Sequence, residues 1–157
     1  MPHKPEEASE EAWHRYFAME CNNKAWSLAV SDRNREEDLE MLSAAQASLY
    51  HWMLVGNTLN QIRAKMLVAE VHALLGLGDT ALPLAIEVSE FFAEHDCPDW
   101  EEAYVAAIEA HAASVAGDAE RHRESYQRAS GLFHAIADPD DKAVVEQTFR
   151  LVPRPNS

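Results

Sequence analysis

The dipeptide Gly-Asp occurs at Gly78-Asp79 and again at Gly117-Asp118, 39 positions later. At the same offset His72 matches His111, Glu70 matches Glu109 and His95 matches His134. Each Gly-Asp separates two stretches whose apolar residues recur every three or four positions, the period of one helix face. Glycine suits such a junction because helices commonly end through left-handed backbone, where a Cβ is crowded. Aspartate suits it because its carboxylate accepts from the free amides that open the next helix. A hairpin of two amphipathic helices that recurs cannot bury its apolar face alone, so it must stack on its neighbours. The fold class expected is all-α.

The remaining elements follow from periodicity and breakers. Pro5, Glu6 and Glu7 have the composition of a first helical turn. Trp13, Phe17, Cys21, Ala25, Leu28 and Ala29 then carry a stripe to about Val30. A second helix from Glu36 turns Leu39, Leu42, Ala45, Leu49, Trp52 and Met53 inward and stops at Gly56-Asn57-Thr58. The third, Leu59 to about Gly76, has a stripe wide enough to need neighbours on both sides. The fourth tolerates Pro83 in its first turn and ends near His95. Asp99-Trp100-Glu101-Glu102 is a capping pattern for a fifth helix to Val115, which contains Ala103, Ala106, Ala107, Ala110, Ala112 and Ala113. Side chains that small let helix backbones approach closely. A sixth helix packs through Tyr126, Ala129, Leu132, Phe133 and Ile136. A terminal helix, Lys142 to Leu151, covers the stack with Val144, Val145, Thr148 and Phe149, and Pro153 to Ser157 reads as a mobile tail. The expected organisation is one helical domain over 1–157, with hairpins at 6–55, 59–96 and 99–137 and a cap at 140–151.

Charge narrows the partners. The net charge is -14, and Met66 to Glu120 holds 12 Asp or Glu with no Lys or Arg. Nucleic acid and anionic membrane surfaces are disfavoured by that sign. A basic protein segment is favoured by it, although acidic positions on exposed helix faces equally serve solubility. Asp and Glu interrupt every apolar run, so no membrane span is expected. Cys21 and Cys97 form no CxxC pair, and no basic, apolar leader is evident; a cytoplasmic location is expected.

His111-Ala112-Ala113-Ser114-Val115-Ala116-Gly117-Asp118, continued by Tyr126 and Ala129, resembles the tetratricopeptide repeat superfamily. Ala73-Leu74-Leu75-Gly76-Leu77-Gly78-Asp79 with Ala85 and Val88 is a second, weaker instance, because Glu87 and Glu90 stand nine and twelve beyond Gly78. Trp13 to Met53 is similar more loosely. The resemblance implies a right-handed superhelix of antiparallel helix pairs with a concave groove that binds an extended peptide or protein. The offset exceeds the usual period of about 34 residues, so longer helices or the Cys97-Pro98 connection must absorb the difference. Family members that clamp a terminal carboxylate use basic and asparagine side chains. Asn57, Asn60, Arg63 and Lys65 lie near one helix start, but the acidic middle does not continue that pattern.

Candidate chemistry is sparse. Glu70-x-His72 and Glu109-x-His111 place their members about 200° apart on a helix, so neither pair converges on one ion. Glu11-x-x-His14 has the spacing of a di-iron ligand pair, but the chain contains no second Glu-x-x-His. No Gly-x-Ser-x-Gly elbow or lysine-bearing phosphate loop is present. No catalytic residue, metal ligand or cofactor is therefore assigned. The reading is a non-enzymatic protein or peptide interaction module for a basic or amphipathic segment, with Trp52, Arg63, His72, Tyr104 and His111 as surface or groove residues. The alternatives are a self-associating structural unit, acting as a homodimer, and a small-molecule or metal-dependent enzyme.

Overall fold

Two stretches of this chain lack a continuous polar face, and both end up surrounded. The computed structural model describes residues 1–6 and 9–156. Its helices are α1 (Glu10–Ala29), α2 (Arg35–Val55), α3 (Thr58–Leu74), α4 (Gly78–Ala93), α5 (Asp99–Ala116), α6 (Ala119–His134) and α7 (Pro139–Phe149), with no strand among the described residues. The fold class is all-α. Every residue from Met66 to Ala73 in α3 and from Ala103 to Ala113 in α5 is buried. The six alanines between 103 and 113 are at most 1% exposed, which leaves room for α3, α4, α6 and α7 to pack around α5. Successive helices pair as α1 with α2, α3 with α4 and α5 with α6. The odd-numbered helices also touch in succession, α1 on α3, α3 on α5 and α5 on α7.

The repeat exists, but in a different register. Equivalent helices start 41 residues apart, at Thr58 and Asp99 and at Gly78 and Ala119. The left-handed glycines keep that spacing, Gly76 at φ 74° and Gly117 at φ 79°. The 39-residue offset of the two Gly-Asp pairs is therefore corrected by two. Gly117 ends α5, and Asp118 caps α6 by accepting from Arg121 N. Gly78, by contrast, is the first residue of α4, where Leu77 occupies the cap position without a side-chain bond. A Cβ at Gly78 would lie 2.5 Å from Ala116 Cα, so this glycine permits the start of α4 to cross the end of α5. In the 41-residue register Ala85 and Val88 correspond to Tyr126 and Ala129. Glu87 and Glu90 are therefore not the counterparts of Tyr126 and Ala129, and an alanine still stands where the later unit has an aromatic.

Other expectations shift locally. The first helix starts not at Pro5 but after Ser9, whose hydroxyl accepts from Ala12 N at 3.0 Å; Glu7 lies outside the described residues. Gly56 ends α2 in extended backbone (φ -86°), its N–H donating to Trp52 O. Asn57 and Asn60 exchange side-chain and backbone bonds in a reciprocal capping box that opens α3. Phe17, Leu39 and Met53, read as inward, are 42%, 65% and 59% exposed, because among the described residues no further helix packs on that side of α1 and α2. Val144 is also exposed, at 56%. The tail is held at its start: Val152 is buried with Ala106, Ala107, Ala110 and Ala129, and His122 Nε2 donates to Pro153 O at 2.7 Å.

A groove across the odd-numbered helices as the candidate functional site

The row of odd-numbered helices leaves a hollow of about 480 Å³, to which each contributes: Trp26 from α1, with Val30 just after its end, Arg63 and Met66 from α3, Trp100 and Tyr104 from α5, Val144 from α7. Asn22, Ser27, Glu101 and Gln147 add polar atoms to the lining. Trp26 meets Tyr104 edge to face with ring centroids 5.2 Å apart, so the groove has a rigid aromatic floor. Tyr104 is anchored by a 2.8 Å hydrogen bond between its hydroxyl and Thr148 Oγ1. Burial pushes the Tyr104 phenol well above its ordinary pKa; the Thr148 bond opposes this and the Glu70 charge adds to it. The phenol is thus held neutral.

Arg63 donates through Nε and Nη2 to the two oxygens of Glu101, both at 2.9 Å. Glu101 is 1% exposed, so its carboxylate depends on this fork for compensation, while the Arg63 side chain remains nearly half exposed. Locally the pair is neutral, and the lining is dominated by aromatic and aliphatic carbon. Charge enters at one end. Asp99 adjoins Trp100, and Asp138, Asp140 and Asp141 open α7 three to six residues before Val144. Desolvation and then the charges of Asp138, Asp99 and Asp140 raise the Asp141 pKa, which reports four carboxylates sharing one neighbourhood. Lys142 does not neutralise them directly; its ammonium lies over the Phe133 ring at 5.2 Å.

A second hollow of about 380 Å³ shares Asn22 and Arg63 with the first and is bounded by Met19, Trp52, Asn60 and the segment Met1-Pro2. The guanidinium of Arg15 lies 5.7 Å over the Trp52 ring. Three of the five sequence-selected residues, Trp52, Arg63 and Tyr104, therefore line one continuous surface. Arg63 and Tyr104 stand 41 residues apart, at equivalent positions of α3 and α5.

His72 and His111 do not join them and are not surface residues. His72 is buried and its Nδ1 bonds Val68 O of its own helix at 2.7 Å. His111 Nδ1 lies 3.0 and 3.2 Å from the two oxygens of Glu70, which is fully buried. These two residues are also 41 apart, so the pair links equivalent points of α3 and α5. Glu109 turns to the other side of α5 and accepts from Arg121 of α6 at 2.8 Å. The identical Glu-x-His spellings thus have unlike environments. Among the described residues, no group of three or more His, Cys, Asp or Glu is placed to hold a metal.

Trp26, Met66, Glu101 and Val144 were missed as groove residues. Helix periodicity places Met66 and Val144 on packing faces, reads Glu101 as part of a capping pattern and leaves Trp26 off the stripe of the first helix, and it does not report which helices share a row. Both cysteines are free and half buried. Burial first, and then Glu20 near Cys21 and Glu101, Glu102 and Asp96 near Cys97, push their thiols up, away from the reactive thiolate. No helix of the described residues is long and apolar enough to cross a membrane. A scan against models of known families, a search of curated proteins and a search of solved structures each found no match.

Proposed function

We propose that this chain is a non-enzymatic, tetratricopeptide-like interaction module that holds an amphipathic protein segment with a basic flank, in the cytoplasm. The observation that carries the reading is the groove itself: apolar, aromatic-floored and crossed by all four odd-numbered helices, with four aspartates at one end. Apolar side chains of the partner would fill the space over Trp26, Met66, Trp100 and Tyr104. Fully burying one Leu or Phe contributes about 1.5–3 kcal/mol before the costs of association. The Asp99 and Asp138–Asp141 end would orient Lys or Arg flanking those anchors and raise the encounter rate. The spacing of α3–α4 and α5–α6, the left-handed Gly76 and Gly117 and the row of odd-numbered helices support the tetratricopeptide-like part of the reading.

A peptide display library screened against the purified chain tests it, with Trp26 and Trp100 as fluorescent reporters in the groove. Selected peptides should be amphipathic and basic, and binding should weaken as salt rises. Substituting the exposed groove residues Val144→Arg and Ser27→Arg should weaken binding by at least about tenfold, or 1.4 kcal/mol, with the helical circular dichroism unchanged. Peptides that bind both variants as well as wild type would refute the groove assignment.

A second reading has its own support. Phe17, Tyr50, Met53 and Leu54 are 42–60% exposed on α1 and α2, at the end of the row. A second copy covering this end would make the chain a self-associating unit, recognisable as a salt-insensitive dimer that persists on dilution.

A further inference from the structure

Ser48 of α2 donates through its hydroxyl to Ala18 O of α1 at 2.8 Å, and both residues are fully buried. They mark the end of the buried part of this hairpin: no residue of α1 before Ala18 and none of α2 after Ser48 is buried. Beyond them the start of α1 rests on the end of α2 through partly exposed rings and three specific contacts. Arg15 supplies two, with Nη2 donating to Val55 O at 3.2 Å and the guanidinium 5.7 Å over the Trp52 ring. The third is between His14 and His51, whose Nδ1 atoms are 2.9 Å apart with ring centroids at 5.1 Å. The nitrogens meet head-on, as in an N–H···N hydrogen bond, so one Nδ1 donates and the other accepts. Glu10 Oε1 lies 3.6 Å from His14 Nε2 and favours the proton there, which makes His51 Nδ1 the donor and His14 Nδ1 the acceptor.

Such a pair counts protons. A first added proton enters at His51 Nε2, away from the partner ring, and leaves the bond in place with a charged donor. The second enters at His14 Nδ1, the accepting lone pair, so that two N–H groups and two positive charges face each other and the bond is lost. An open depression of about 660 Å³ beside His14 gives water access. Glu10 and Glu11 border it, but Glu11 is taken up by Arg15 at 3.9 Å; Tyr50 meets the His51 ring edge-on, and α3 opens with Thr58 to Ile62, none of them charged. Burial first, and then the His14 charge, lower the His51 pKa, so the doubly protonated state is reached only below the ordinary imidazole value of about 6.5. The stabilisation is present above that range and is lost as pH falls.

We propose that His14 and His51 form an acid-released clasp: the first two turns of α1 stay docked on the end of α2 while one Nδ1 lone pair remains between the rings, and detach when both rings are protonated. Detached turns fray, because so short a helix is marginal without its packing. Release lifts Arg15 from Trp52, which walls the second hollow, while Ala18, Ala25 and Ala29 keep the rest of α1 in place. A consequence for partner binding rests on the groove reading above; the release does not, and it is measured in the free chain.

Amide hydrogen exchange of the full chain at about pH 7.5 and about pH 5, corrected for the intrinsic pH dependence of exchange, provides the test. The amides of Trp13 to Phe17 should lose at least about tenfold in protection at the lower pH, while those of α1 beyond Ala18 keep theirs. In the ¹⁵N-labelled chain a scalar coupling between the two Nδ1 nuclei should be present at the higher pH and absent at the lower. His51→Asn, whose amide does not titrate and can donate or accept at the place of Nδ1, should keep Trp13 to Phe17 protected at both. If that variant is already unprotected at the higher pH, the coupling in the wild-type chain decides in its place. The same acid response in a protected His51→Asn would assign it to Glu10 or other carboxylates and overturn the proposal. Unchanged protection in the wild type, a loss spread over all of α1, or no Nδ1–Nδ1 coupling at the higher pH would each do the same.

Discussion

Replacing His111 with alanine strands the Glu70 carboxylate between α3 and α5, where it is fully buried and His111 is its hydrogen-bond partner. Breaking a buried pair by removing one member typically costs about 3–5 kcal/mol, whereas exchanging both for apolar residues of similar volume is often close to neutral. Urea denaturation of His111→Ala, Glu70→Ala and the double variant Glu70→Leu/His111→Leu should show that ordering, the double variant being the most stable of the three. Equal losses for single and double variants would mean that water, not His111, satisfies Glu70. The same arithmetic makes His111 a poor probe of the groove: its loss would act through the fold. Sequence could name Glu70 and His111 as notable, but not as partners, because the 39-residue alignment matched each to the wrong residue.

Element boundaries were largely legible because they rest on local chemistry. The periodic stripes and Asp118 as a cap act within a few residues of where they stand, whereas α7 begins at Pro139, three residues before the expected Lys142. What escaped was the contact of one element with another. Gly78 looks like a turn glycine, yet its backbone is helical and its missing Cβ makes space for Ala116 and Val115 of α5. Gly131 in α6 offers the contrast, since a Cβ there meets nothing within 4 Å. Gly78→Ala should therefore destabilise by about 1–3 kcal/mol through a backbone clash. Gly131→Ala should stabilise by roughly 0.5–1 kcal/mol by removing a poor helix former. Thermal melts of the two variants should move in opposite directions. A neutral Gly78→Ala would show that α4 and α5 can part without loss.

At the scale of the whole molecule, the groove was only half legible for a related reason. Arg63 and Tyr104 could be picked because a cation and a large aromatic stand out near the starts of α3 and α5, but Trp26, Met66 and Val144 join them only once α1, α3, α5 and α7 form a row. That row is assembled under a net charge of -14, with 27 acidic against 13 basic side chains. Pairs such as Arg63 with Glu101 are largely shielded, while exposed clusters such as Asp99 with Asp138, Asp140 and Asp141 repel one another in the folded chain. Exposed charges are screened over about 10 Å at 0.1 M salt and about 30 Å at 0.01 M, so salt relieves the repulsion more than it weakens the buried forks. The melting temperature should consequently rise between low and moderate NaCl, and the increment should shrink in the variant Asp138→Asn/Asp140→Asn. A melting temperature that falls with added NaCl would mean that exposed attraction outweighs repulsion. It would also remove the electrostatic ground for expecting a basic flank on the bound segment, while leaving the apolar floor of Trp26 and Tyr104 as the basis for docking.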